Sequence, residues 1–365
     1  MKTEMPQVFV VNNYSLEYVW EQVRRGEKPN HHLYGINYFH LRGYEVKLIP
    51  FKNLPFFQFV DKSLGKLPSL VPLGCLDQQW ACLKRLAQAD LIYAPCQTQT
   101  HLLTYFRALG LIKVPIVCVA HHPLDRGGRL DKFRAPFFKL QIQGTDAFPS
   151  LSAKVSEQIL QLSDTSCQSE ILSWGPDPGY YPQTSELGTG IVAAGRTGRD
   201  FSTFGKAASL TEVPTKIICL QSDFRKEFQA FRGNVKVIVQ SDEQHMMYPE
   251  LLEIYAKARV IAIPLSGGNS LSGLTSLMDA LGMGKPVIMT KQPFIDLDIE
   301  VEEIGIWVNV GDVDGWRKAI QFFEDNPEQA IVMGKRARKI ADTYMNSLSF
   351  SNAVMDIFDK VLKRK

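Results

Sequence analysis

An α/β fold built from two doubly wound domains is expected from three features of this 365-residue chain. Apolar runs of strand character alternate with helical apolar stripes almost throughout, which implies parallel sheets covered by helices. The alternation starts afresh near residue 190. Between the two series lies Trp174-Gly-Pro-Asp-Pro-Gly-Tyr-Tyr-Pro182, whose three prolines and two glycines suit neither a helix interior nor a central strand, so it reads as the linker.

In the first series the apolar runs at 8–11, 46–49, 91–93, 116–120 and 147–151 read as strands buried in a sheet. Helical patterns at about 33–42, 76–88 and 101–109 fall between them. In the second series the strands are expected at 191–194, 217–220, 235–239, 260–263, 287–289 and 307–310. Helices are expected near 200–209, 248–257, 274–282, 314–324 and 328–344. The helix at 274–282 is the clearest, because Leu274, Leu277, Met278 and Leu281 recur at i, i+3, i+4 and i+7. Thr275 and Asp279 lie off that stripe, one turn apart, where both can face a crevice. A last helix, about 350–362, carries Ala353, Val354, Ile357, Phe358 and Val361 on one face.

Composition narrows the function classes. The chain is 45% apolar and 22% charged with a net charge of +3, and it has no Arg/Lys run of the kind a nucleic-acid footprint needs, so no nucleic-acid partner is expected. No apolar stretch reaches transmembrane length, and the first residues lack the apolar core of a signal peptide. The six cysteines (Cys75, Cys82, Cys96, Cys118, Cys167 and Cys219) form no Cys-x-x-Cys pair, which argues for a reducing cytoplasm and against a disulfide frame or zinc site.

Five segments can carry chemistry. Leu265 to Gly273 leaves the carboxyl end of a strand and opens a helix, so its free backbone N–H groups can seat a phosphate. Tight turns in any α/β protein also use such small residues. Gly195, Arg196 and Arg199 follow the first strand of the second domain; paired guanidiniums on a glycine-spaced loop suit a diphosphate, and the alternative is an arginine pairing with Asp200. His121 and His122 stand at a strand tip, placed for a catalytic or sugar-orienting role, although a histidine there can be merely structural. The 29–35 loop, with His32 and Gly35, can line an acceptor pocket or simply cap a helix. The aromatic–basic stretches 51–59 and 132–140 suit a membrane surface or a lipid-linked acceptor, and suit somewhat better a buried loop whose cationic stems reach water.

These residues together resemble the donor-binding half of glycosyltransferases of the GT-B fold, in particular the retaining family 4. The resemblance rests on Gly195-Arg196 with Arg199, on Leu277-Met-Asp-Ala-Leu-Gly-Met-Gly-Lys-Pro-Val287, on Gly-Pro-Asp177 followed by Tyr181-Pro182, and on Gly311-Asp312 before a helix. It spans about 170–345 clearly and is weaker before that. It implies two Rossmann-like domains facing each other across a cleft: 1–175 on the acceptor side, 176–346 for the nucleotide-sugar donor, and 347–365 crossing back to the first domain. It further implies transfer of a sugar from a UDP- or GDP-linked donor to a glycan, lipid-linked or small-molecule acceptor, with retention and without a metal or other cofactor. Arg196 and Arg199 would neutralise the departing diphosphate together with the N–H groups near Ser272, Gly273, Leu274 and Thr275, Asp279 would bind the ribose, and His121 or His122 would match the strand-end histidine. The expected location is the cytoplasm, with a peripheral contact at the inner membrane face.

Two departures stand out. Where the family has a Glu that holds the sugar, this chain has Asn269-Ser270-Leu271, so Asn269 would hydrogen-bond the sugar without charge; and the ribose partner is Asp instead of Glu. A nucleotide-sugar 2-epimerase-like isomerase and a non-catalytic nucleotide-sugar-binding subunit are therefore the competing readings.

Overall fold

A computed structural model of the chain describes residues 5–51, 71–163, 169–182, 188–241 and 246–363. The stretch 52–59 and Cys167 lie outside the described residues. The chain divides into two compact units. Met1–Arg24, Asn30–Trp174 and Ser347–Lys365 make the first, and Arg25–Pro29 with Gly175–Asn346 make the second.

In chain order the first unit has β1 (Gln7–Val10), α1 (Leu16–Arg24), β2 (Glu45–Leu48), α2 (Leu76–Leu83), β3 (Leu91–Ala94), α3 (His101–Ala108), β4 (Ile116–Cys118), α4 (Asp131–Gln143) and α5 (Ala153–Leu162). The second has β5 (Ile191–Ala194), α6 (Phe201–Ala208), β6 (Thr215–Leu220), β7 (Val235–Gln240), α7 (Tyr248–Lys257), β8 (Val260–Ile263), α8 (Leu274–Met283), β9 (Val287–Thr290), β10 (Gly305–Val308), α9 (Val313–Asp325) and α10 (Pro327–Thr343). The final helix, α11 (Ser347–Leu362), belongs to the first unit.

Both sheets are parallel. Their orders are β2-β1-β3-β4 and β10-β9-β8-β5-β6-β7. Strands β3, β4, β5, β8 and β9 are buried along their whole length, as strands covered by helices on both faces must be. That is why they read as unbroken apolar runs. In each sheet the winding direction reverses once, between β1 and β3 in the first unit and between β5 and β8 in the second. In open α/β sheets ligands bind outside the strand carboxyl ends at such a reversal. The candidate residues lie on the connections leaving these four strands and on the loop leaving β4.

Three local outcomes differ from the expectations. The helix expected at 33–42 is two separate 3-10 turns, Asn30–Leu33 and Phe39–Arg42. Tyr34 and Gly35 between them have φ of 49° and 84°, the left-handed region where a right-handed helix cannot continue. The run 147–151 makes only isolated parallel bridges, Val117 to Ala147, Ala120 to Ser150 and Ser150 to Ile171, because Pro149 has no N–H to give to a ladder. The stretch 132–140 lies inside α4, a helix that buries Phe138, Gln141 and Ile142 and passes through Pro136. Two further helices, α1 and α5, bury Leu16 and Val19 in the one and Val155 and Ile159 in the other, where no helix is expected from the sequence.

α11 completes the core of the first unit. The Phe358 ring lies 5.0 Å from that of Phe39 and 5.3 Å from that of Tyr93, and Phe350, Val354, Met355, Ile357 and Val361 are buried with it. Arg42 pairs with Asp356 and Asp359 at the rim.

Candidate functional site

The loop after β5 begins at Gly195, whose φ of 135° and contact with Arg199 leave no room for a side chain: a Cβ there would sit 2.3 Å from Arg199 Nε. Arg199 folds under this glycine. Its Nε donates to the Ala194 carbonyl (3.1 Å), Nη1 to the Thr197 carbonyl (2.9 Å) and Nη2 to Ser276 Oγ on α8 (2.9 Å). Arg196, by contrast, is exposed. The Lys28 ammonium, from the short Arg25–Pro29 segment of the same unit, is lowered from its usual pKa by burial and by the charge of Arg196, which places a third cation in electrostatic reach of this loop.

The loop after β8 is zipped onto the loop after β5. Ser266 N–H donates to the Gly198 carbonyl (2.9 Å), Asp200 N–H donates to the Pro264 carbonyl (3.1 Å), and Arg199 bridges Leu265 in antiparallel fashion. Leu265 N–H is held by Thr290 Oγ1 (2.8 Å), and the Gln292 side chain donates to the Ser272 carbonyl. Asn269 is exposed at the tip. Gly273 enters α8 at φ 83° and gives it no side-chain cap, so the first-turn N–H groups have no intrahelical partner. Among the described residues no acceptor meets the N–H of Leu274 or Thr275, and Thr275 is exposed. Two helix-start amides without an acceptor among the described residues, the positive end of a ten-residue helix and the exposed Arg196 guanidinium thus lie on one loop pair, an arrangement that favours an anion.

Asp279 lies midway along α8 and is only 3% exposed. Its Oδ1 accepts from the Tyr181 hydroxyl (2.8 Å) and from the Tyr248 hydroxyl, while the two hydroxyl oxygens are 2.9 Å apart. Burial pushes its pKa up to about 6, against the opposing hydrogen bonds of both tyrosines and the charge of Arg199. Among the described residues nothing donates to Oδ2.

In the first unit the loops leaving β1, β3 and β4 gather Asn12, Tyr14, Gln97, His121 and His122. Gln97, 4% exposed, accepts the N–H groups of both His121 and His122 on Oε1 and returns a hydrogen bond from Nε2 to the His122 carbonyl. His121 Nε2 lies 2.6 Å from the Pro95 carbonyl. A carbonyl can only accept, so Nε2 carries the proton and Nδ1 of the neutral ring is the basic atom. Burial lowers both imidazoles to about 4, with the charge of Arg126 adding to the effect at His122. The His32 carbonyl takes the Tyr14 hydroxyl (2.7 Å), and the carbonyl of Gly35 takes the Ser351 hydroxyl of α11 (2.9 Å).

No protein-family model matches the sequence, and no curated protein matches it. Solved structures do. The sucrose-phosphate synthase of Thermosynechococcus elongatus superposes with a TM-score of 0.68 at 13% identity, over 99% of this chain and 100% of that one. HepE of Anabaena, in complex with UDP and glucose, gives 0.65 at 14% identity over 97% and 99%. The lipopolysaccharide outer core galactosyltransferase WaaB gives 0.58 at 12% identity over 97% and 99%. The fold is GT-B.

Within this GT-B fold the residues named from sequence fall into two groups. Gly195, Arg196, Arg199, Asn269, Ser272, Gly273, Leu274, Thr275 and Asp279 all belong to the second unit, and His32, Gly35, His121 and His122 to the first. Asn12, Lys28, Gln97, Tyr181 and Tyr248 were not singled out as site residues. Tyr181 lies in the linker 174–182, and its pairing with Asp279 of α8 leaves no local signal in the sequence. Lys28 lies 168 positions from Arg196, and no spacing rule reaches that far.

Proposed function

We propose that this chain is a glycosyltransferase that moves a sugar, with retention, from a UDP- or GDP-linked donor to a glycan, lipid-linked or small-molecule acceptor. The observation that carries the reading is the loop pair at the reversal point of the second sheet, which carries the exposed Arg196 on one loop and, after the other, the first-turn amides of Leu274 and Thr275, without an acceptor among the described residues. The likeness to glycosyltransferase structures, one of them in complex with UDP and glucose, supports a nucleotide-sugar donor.

The roles follow from charge and geometry. Bond cleavage at the anomeric carbon leaves two phosphates' worth of negative charge on the departing nucleotide, and stabilising that charge is the main electrostatic task. Arg196 and the α8 amides meet the phosphates, and Lys28 adds to the field. Arg199 acts beneath them, fixing the Gly195 turn to α8. Asp279 Oδ2 accepts from the ribose. Cationic side chains and amides take the part a divalent ion plays elsewhere, so the reaction is proposed to need no metal. On the acceptor side, His121 offers a neutral imidazole with a fixed tautomer that can accept a hydroxyl proton.

Calorimetric titration with UDP-glucose and GDP-mannose, followed by release of nucleoside diphosphate with and without candidate acceptors, tests the reading. A transferase binds one donor and releases diphosphate faster when acceptor is present, and a chelator leaves the rate unchanged. Binding without any release would mark a non-catalytic subunit, and absence of binding would remove the donor site altogether.

A further inference from the structure

Tyr181, Tyr248 and Asp279 come from three elements of the second unit: the 175–182 segment, the first residue of α7, and the middle of α8. Their three oxygens are mutually within hydrogen-bond reach, and both hydroxyls point to the same carboxylate atom, Oδ1. The arrangement is over-determined. The Tyr181 ring is packed so closely on Gly282 that a Cβ there would lie 2.4 Å from ring Cδ2. Arg338 ties the same segment to the end of α8 through the Gly282 carbonyl (2.6 Å), the Pro178 carbonyl (2.9 Å) and the Tyr181 carbonyl (3.3 Å).

An aspartate has one free torsion beyond Cβ, and pinning one oxygen sets where the other points. We propose that Tyr181 and Tyr248 are positioning residues for donor recognition: they lock Oδ1 of Asp279 so that Oδ2 alone is presented to the ribose hydroxyls of the nucleotide. This rests on the donor-site reading given above. The tyrosines also favour the ionised carboxylate in a place where burial opposes it.

The test uses Tyr248→Phe and Tyr181→Phe, which remove one hydroxyl each and keep the rings. Calorimetric affinities of the full chain and both variants are measured for UDP and for 2′,3′-dideoxy-UDP, and likewise for the guanosine pair, with melting temperatures recorded alongside. The unaltered chain is expected to prefer the ribonucleotide, and each variant to lose roughly tenfold in ribonucleotide affinity, about the 1.4 kcal/mol of one charged hydrogen bond. The dideoxy affinity stays the same. Equal losses for ribo and dideoxy nucleotides, or no loss for either in a folded variant, would overturn the positioning role while leaving the donor site intact. Failure of the unaltered chain to bind any of the four overturns the donor reading and this proposal with it. If one variant does not fold, the other decides.

Discussion

Arg196 and Arg199 lie on the same turn of chain and live in opposite environments. Arg196 is exposed, whereas Arg199 spends donors on Ala194, Thr197 and Ser276. Replacing each by Ala is therefore expected to have different consequences. Arg196→Ala should weaken nucleoside diphosphate binding by about 1.5–3 kcal/mol, the scale of hydrogen bonds to a charged group, and leave the melting temperature unchanged. Arg199→Ala should chiefly lower stability, by about 1–3 kcal/mol, because two loop carbonyls lose their donors. Calorimetry and thermal melts on the two variants check both; swapped effects would reverse the assignment. His121 offers a second residue-level test. Its folded pKa is about 4 because burial disfavours the charged ring, while an unfolded histidine titrates near 6.5. Below 6.5 the unfolded chain therefore binds more protons, so the stability this ring contributes is complete above pH 6.5 and is lost as the pH falls toward 4. The His121 ring signals, followed by NMR, should shift with a midpoint near 4; a midpoint near 6.5 would mean the ring is solvated.

At the scale of elements, the junction of β8, its loop and α8 turns on Gly273. Its φ of 83° excludes an ordinary side chain, and a Cβ would come within 2.9 Å of Met289 Cε and 3.0 Å of Ile263 Cγ2. Gly273→Ala should cost about 1–3 kcal/mol in chemical denaturation and weaken nucleotide binding as the α8 amides shift; an unaffected affinity would place the anion elsewhere. This junction was readable in the sequence because an apolar strand, small residues and a helical stripe follow one another without interruption. Most strands were readable for a similar reason, being apolar on both faces. The misreadings have local physical causes. Pro149 breaks a run of strand character, Tyr34 and Gly35 take left-handed backbone inside a helical pattern, and Pro136 disguises a helix held by its buried Phe138, Gln141 and Ile142. Within the site, the glycines and the exposed arginine were legible. What was hidden is tertiary: that Arg199 would turn inward, that two tyrosines would close on Asp279, and that Gln97 would clamp the paired histidines.

For the molecule as a whole, both units are discontinuous in the chain. The first lacks part of its core until α11 is in place, since Phe358 packs against Phe39, Tyr44 and Tyr93. Burying Phe350, Val354, Phe358 and Val361 is worth about 1.5–3 kcal/mol each, together comparable to the entire net stability of an ordinary domain. A chain ending at residue 346 should therefore lose the near-UV aromatic signal of its first unit and the cooperative melting of that unit, while the second unit keeps its own transition; an unchanged melting curve would show the helix to be dispensable. The order of synthesis gives this arrangement a further meaning. On the ribosome, 175–346 emerge as one uninterrupted stretch and need only the short 25–29 segment made earlier. The unit translated first has to wait, with its aromatic face uncovered, until the closing helix leaves the exit tunnel. Nascent chains stalled before that point are thus the form of this protein most in need of a chaperone.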